Sequence, residues 1–151
     1  MRVSAKVDYA VRALAELAVS GPGPVKGEAI AAAQDIPLNF LENILRDLRR
    51  AGMVGSQRGA VGGYRLVVGP ETLTIADVVR AVEGALADVR GIPPEEVDYR
   101  GPAEALKDVW IATRATLRSV LEVVTIADVA SGKLPENVVA LTTATDAWAR
   151  R

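Results

Sequence analysis

Two neighbouring segments, Ile36-Pro37-Leu38-Asn39-Phe40-Leu41-Glu42-Asn43-Ile44-Leu45-Arg46-Asp47-Leu48-Arg49-Arg50 and Arg58-Gly59-Ala60-Val61-Gly62-Gly63-Tyr64-Arg65, carry the architecture of this chain. In the first, Leu38, Leu41, Ile44, Leu45 and Leu48 recur at steps of three and four. That spacing predicts an amphipathic helix, opened by Pro37 in its first turn and stopped at Gly52. The opposite face holds Asn39, Glu42, Asn43, Arg46, Arg49 and Arg50. Asn can bond adenine in bidentate fashion, Arg can fork onto guanine, and Glu can accept from the cytosine amino group in a groove wide enough for one helix. A merely solvated face would carry the same residue types, so the surroundings must separate the two readings.

The surroundings favour the first. Upstream stands a short Ala-rich helix over Gly27–Gln34, joined by a tight turn at Asp35-Ile36; downstream, extended runs at 53–57 and 64–68 flank the second segment. Two strands around a glycine-rich turn make a hairpin. Short helix, tight turn, polar-faced helix and hairpin follow the order of a winged helix-turn-helix. Arg58 and Arg65 place cations around a bare backbone, which suits a wing following a DNA backbone or entering a minor groove, although the glycines alone would equally serve a tight turn. The predicted fold class is mainly α with a small β-hairpin wing: a winged helix-turn-helix domain plus a long dimerisation helix.

Outward from this centre, Ser4 caps a first helix buried through Val7, Ala10, Val11, Leu14, Leu17 and Ala18, within a start over 1–20 that ends before Gly21-Pro22-Gly23-Pro24. Thr74-Ile75-Ala76-Asp77 reads as a capping box opening a helix with Val78, Val79 and Val82 that stops at Gly84. The same tetrapeptide returns at Thr125-Ile126-Ala127-Asp128, two helix starts sharing one capping solution. Residues 85–102 read as a loop punctuated by glycine and proline. A long helix over 103–124 then repeats apolar residues (Leu106, Val109, Trp110, Leu117, Val120, Leu121, Val124) near a period of 3.5, along about 33 Å of rise. A seam of that kind calls for a partner helix. The expected division is a DNA-binding domain over 1–84, the loop over 85–102, the long helix and a short closing helix over 103–132, and a weakly patterned, loosely held tail over 133–151.

Composition narrows the chemistry. Of 151 residues none is Cys and none is His. That removes disulfides, thiolate nucleophiles, cysteine-held clusters, the commonest general base and the commonest transition-metal ligand. The carboxylates are not arranged for acid–base work: Glu95 and Glu96 are adjacent in a loop, and no Ser has a recognisable His or Lys partner motif. An enzyme is not expected. The net charge of −1 argues against a nucleic-acid binder, but its distribution does not: residues 1–68 hold nine Lys plus Arg against six Asp plus Glu, whereas 69–151 hold nine against thirteen. Charged residues Lys6, Asp8, Arg12 and Glu16 interrupt the apolar spacing of the start, so neither a signal peptide nor a membrane span is expected, and the expected location is cytoplasmic.

The chain resembles the Rrf-two family of bacterial transcriptional regulators, which includes the iron-sulfur cluster regulator, the nitric-oxide-sensing repressor and the cysteine metabolism repressor. The resemblance rests on Ser4-Ala5-Lys6-Val7-Asp8-Tyr9-Ala10-Val11-Arg12-Ala13-Leu14, on 36–45, on Leu48-Arg49-Arg50-Ala51-Gly52, and on Arg58-Gly59 with Gly62-Gly63-Tyr64, and it extends from 1 to about 132. It implies a homodimeric repressor whose long helix crosses its mate, bound to a palindromic operator in double-stranded DNA. It also implies base contacts from Asn39, Glu42, Asn43 and Arg46 in the major groove, with Arg49, Arg50, Tyr64 and Arg65 in the binding surface and Arg58 reaching the minor groove.

Cluster-holding members supply three cysteines from the loop preceding the long helix. The matching loop here offers Asp88, Arg90, Glu95, Glu96, Asp98, Tyr99 and Arg100, and no thiol. No cofactor and no metal are therefore expected, and Asp8, where some relatives place an oxygen ligand, reads as a helix-start charge or ion-pair partner. Tyr99 and Trp110 could line an effector pocket beneath the loop, for a small molecule or protein effector of unknown identity, or could be plain packing. The alternative to a DNA-binding regulator is a winged helix serving as a protein-interaction module.

Overall fold

A computed structural model describes residues 2–149; Met1 and the tail residues Arg150 and Arg151 lie outside the described residues. The chain is mainly helical, with α1 (Ala5–Val19), α2 (Gly27–Gln34), α3 (Leu38–Arg50), the hairpin β1 (Val54–Gln57) and β2 (Gly63–Leu66), α4 (Ile75–Val82), α5 (Leu106–Leu121), α6 (Ile126–Ser131) and α7 (Glu136–Thr142). The first helix is the centre of the domain. Its Val7, Ala10, Ala13, Leu14 and Leu17 are buried, and it packs on α2, α3, β2, α4 and α6. Small residues at Ala10 and Ala13 let the neighbouring helices approach closely, and Ile30, Leu41, Ile44, Leu45, Leu48, Val78 and Ile126 close around them into one core.

The turn between α2 and α3 is made by Asp35, whose left-handed backbone (φ 49°, ψ 51°) ends α2, and by Ile36, which drops into the core. Pro37 sits one position earlier than its predicted place in the first turn. It is the N-cap, with ψ at 125°, and its carbonyl accepts from the amides of Phe40 and Leu41 at 3.0 and 3.1 Å. Proline suits that position because it lacks only an amide hydrogen that the helix start would leave unpaired anyway.

In the hairpin, Val54 pairs with Leu66, Gly55 with Arg65, Ser56 with Tyr64 and Gln57 with Gly63. The strands are shorter than the predicted runs, yet Met53 and Val67 stay linked through a 3.1 Å amide-to-carbonyl bond. A third extended piece, Val25, exchanges two backbone bonds with Tyr64 at 2.7 and 2.8 Å and anchors the wing to the entrance of α2. Gly63 permits this junction. Its φ is +152°, and a Cβ there would lie 2.4 Å from the Val25 carbonyl oxygen.

The C-terminal half differs from expectation in three places. The long helix runs over Leu106–Leu121 rather than 103–124, about 24 Å of rise for its 16 residues. Gly101-Pro102-Ala103 forms a separate 3-10 turn before it, and Val124 lies beyond the helix at the other end, where its carbonyl accepts from the Ile75 amide at 2.9 Å. The 85–102 segment, read only as a loop punctuated by glycine and proline, contains short ordered pieces: a bridge between Val89 and Ile92, a 3-10 turn at Pro94–Glu96 and buried Pro94 and Val97. The tail contains a helix, α7, whose Val138 is buried; its single turn of apolar spacing was too short to show as a pattern.

Candidate nucleic-acid interface

All six polar residues predicted for the outer face of α3 are exposed. Asn39, Asn43, Arg46 and Arg50 form its centre line, spaced at three and four residues, while Leu41, Ile44, Leu45 and Leu48 fasten the other side to the core. Asn43 holds its amide in place by donating from Nδ2 to the Asn39 carbonyl at 3.0 Å. Among the described residues Arg46 has no carboxylate within ion-pair distance, so its guanidinium stays free for an external acceptor.

The two arginines at the end of α3 each have a partner in the chain while staying exposed. Arg49 donates from Nη1 to Ser56 Oγ on β1 at 3.0 Å, an exposed link between helix and wing; Arg50 stands 3.6 Å from Asp47. Asp47 is also 2.8 Å from Lys6, whose Nζ donates to the Val82 carbonyl at 2.7 Å. The Lys6 hydrogen bond, reinforced by its charge and those of Arg50 and Arg46, holds the Asp47 carboxyl below the usual range.

Arg58 lies at the exposed start of the wing turn and Arg65 is exposed on β2. A Cβ on Gly62 would fall 2.2 Å from the Gln57 carbonyl oxygen, so only glycine lets the turn close this tightly. Tyr64 is half-buried, with its ring 3.6 Å from where a Gly27 Cβ would stand, and packs against the domain core. Between wing and α3 lies a cleft of about 340 Å³, bordered by Lys26, Glu28, Leu38, Glu42, Gln57 and Tyr64. Lys26, exposed at the start of α2, is a cation on this surface that the sequence reading passed over; its position between Val25 and Gly27 was the available signal. Phe40, also passed over, projects from the first turn of α3 with 63 % of its surface exposed.

Asp8 pairs with Arg12 at 3.1 Å on α1, the ion-pair role expected of it. Beneath the 85–102 loop, Trp110 donates from Nε1 to Tyr99 Oη at 3.0 Å. Trp110 also borders a hollow of about 150 Å³ with Ala87, Val89, Pro94 and Thr113, to which Tyr99 does not contribute. The loop is held to α5 by Glu95, which accepts from Arg114 at 2.7 Å, and by Lys107, which donates to the Glu95 carbonyl at 3.0 Å. The described residues include no helix long and apolar enough to cross a membrane.

A helix-turn-helix whose outer helix is polar, wired through Arg49 to a glycine-rich wing, defines a winged helix-turn-helix protein. The chain matches the family model of Rrf2, described as iron-dependent transcriptional regulator, over residues 3–132, and it belongs to that family. It is 51 % identical over 142 residues to an HTH-type transcriptional regulator, Rv1287, of Mycobacterium tuberculosis, covering 93 % of this chain and 88 % of that one. It is 36 % identical over 132 residues to the HTH-type transcriptional regulator CymR of Bacillus subtilis, covering 87 % of this chain and 91 % of that one. The solved structure of CymR, the global cysteine regulator of B. subtilis, superposes with a TM-score of 0.73 at 34 % identity, over 87 % of this chain and 98 % of the other. The structure of IscR from T. potens superposes with a TM-score of 0.71, also at 34 % identity, over 87 % and 88 %. These relatives are transcriptional regulators and not enzymes.

The family description names iron, and the residues present do not fit it. The chain has neither thiolate nor imidazole to offer, and among the described residues no three carboxylates stand together as a ligand set.

Proposed function

We propose that this transcriptional regulator is a homodimeric repressor that binds a palindromic operator without an iron-sulfur cluster. One observation carries the reading: the exposed Asn39–Asn43–Arg46–Arg50 line of α3 stands beside a wing that presents Arg58 and Arg65, with Arg49 bracing the two. In this reading α3 lies in the major groove. Asn39, Glu42, Asn43 and Arg46 face base edges, Arg58 enters the minor groove, and Arg50, Arg65 and Lys26 neutralise phosphates. Tyr64 serves by packing, holding the wing against α2.

Dimerisation supplies the second half-site. No residue of α5 is buried within the described chain, and Val109 and Trp110 are exposed to 50 % and 36 %. An apolar seam left open along a 16-residue helix is the surface on which a second α5 would pack. The hollow beside Trp110 is the place for an effector of small size, which would act on α5 and through it on half-site spacing.

The test is selection of genomic fragments by purified protein, followed by affinity measurements on the recovered operator at several salt concentrations. A steep fall of affinity with rising salt, from counterion release, supports duplex binding. Failure to enrich any fragment, or a weak salt response, supports the winged helix as a protein-interaction module instead.

A further inference from the structure

The chain contains one Phe, and the fold leaves it outside. Phe40 is 63 % exposed, while Leu41, Ile44, Leu45 and Leu48 of the same helix are at most 1 % exposed. It is also the one large apolar side chain exposed on α3. Among the described residues it forms no ring contact with a cation. A single exposed ring is ordinary on a protein surface, but one left this open gains free energy wherever another apolar group covers it, so its position decides whether it can serve as a contact.

Its position says which. Phe40 belongs to the first turn of α3, following Asn39 directly and lying three residues before Asn43. Side chains on a helix lean toward its N-terminus, so the ring covers the surface over the opening turn rather than the middle of the helix. In a helix-turn-helix that opening turn is the part that enters the major groove most deeply. The neighbouring side chains on the outer face are amides, a carboxylate and guanidinium groups, each able to address a hydrogen-bonding base edge. The apolar group presented by the major groove is the C5-methyl of thymine, and an apolar side chain gains by covering it.

We infer that Phe40 is a specificity-determining residue that packs on a thymine methyl group of the operator. This rests on the DNA-binding reading above and adds to it one base and one atom. Polar residues of α3 then discriminate by hydrogen bonding, and Phe40 discriminates thymine from cytosine and from uracil by burial.

Replacing operator thymines one at a time with deoxyuridine removes a methyl and leaves every hydrogen-bonding group in place. With wild-type protein, one position in each half-site is expected to lose about fourfold in affinity, the size of one buried methyl group. Phe40→Ala should bind the unmodified operator more weakly and be indifferent to uracil at that position, while its response to substitutions at the other positions stays as in the wild type. Phe40→Leu, which keeps an apolar contact, should retain part of the sensitivity. Melting curves of both variants should match the wild type, given the exposure of the site. Wild-type affinity unmoved by uracil at every position, or Phe40→Ala as sensitive as the wild type, overturns the inference while DNA binding stands. Absence of any operator binding by wild-type protein overturns both together.

Discussion

Lys6 joins three helices by itself. From α1 it pairs with Asp47 on α3 at 2.8 Å and donates to the last carbonyl of α4, Val82, at 2.7 Å. Asp47 therefore titrates below an ordinary carboxylate in the folded chain, chiefly through its hydrogen bond from Lys6. A depressed folded value contributes stability that is complete above the unfolded value, near pH 4, and is lost as pH falls through the folded one. Urea denaturation between pH 2 and 7 should show this acid-side loss in the wild type and a shallower one in Lys6→Met. That variant should also be less stable by about 1 kcal/mol at neutral pH, the scale of a part-exposed pair plus one hydrogen bond. An unchanged acid limb would remove the pair from the account.

Arg58 and Asn43 make separable demands at the same scale. Arg58→Ala should weaken binding by a similar factor on all operator variants, because a wing cation meets backbone and groove potential rather than one base. Asn43→Ala should instead change the ranking of base substitutions within a half-site, with about 1 to 3 kcal/mol at one position. Gel-shift titrations against a panel of single-substituted operators distinguish the two patterns.

Between elements, the repeated tetrapeptide acquires a use that sequence reading left open. Thr74 and Thr125 both close capping boxes, with Asp77 and Asp128. The two starts also pair with each other as an antiparallel bridge, in which Ile75 donates to Val124 and Ile126 donates to Leu73 at 2.9 and 2.8 Å. The echo thus joins the helix that follows the wing to the one that follows α5. Arg80 on α4 crosses the same junction to Glu122 at the end of α5, where Arg118 of α5 itself also bonds that carboxylate. Thr74→Ala and Thr125→Ala should each cost about 1 kcal/mol, the usual effect of losing a cap. Because the caps hold a shared junction, thermal denaturation of the double variant should depart from the sum of the single effects. Strict additivity would mean that the two caps act alone.

For the whole molecule, the open face of α5 sets the expectation. Val109→Glu puts a charge on a position already half-exposed in one chain, so it should leave the melting of the monomer fold nearly unchanged. For the dimer we propose, it should yield monomer in sedimentation velocity and reduce operator affinity by at least tenfold, since one half-site then binds without the other. A dimer that survives this change would move the interface elsewhere.

Much of this protein was legible from residue order, because its signals are local. The leucine period of α3, the two capping boxes, the glycines of the wing and the stop at Gly52 act within a few residues of themselves, and the structure keeps each. The polar face of α3 could be named residue by residue for the same reason: helical spacing assigns a side before any partner is known. Distance in the chain hid the rest. The exchange between Val25 and the wing, the brace from Arg49 to Ser56, the meeting of Thr74 with Thr125 and the reach of Lys6 to Val82 join positions with no shared local pattern. The end of α5 at Leu121 and the burial of Val138 belong with them. Only packing in three dimensions chose those contacts, because backbone bonds and apolar surfaces that neighbours in sequence cannot satisfy must be satisfied by whatever the fold brings near.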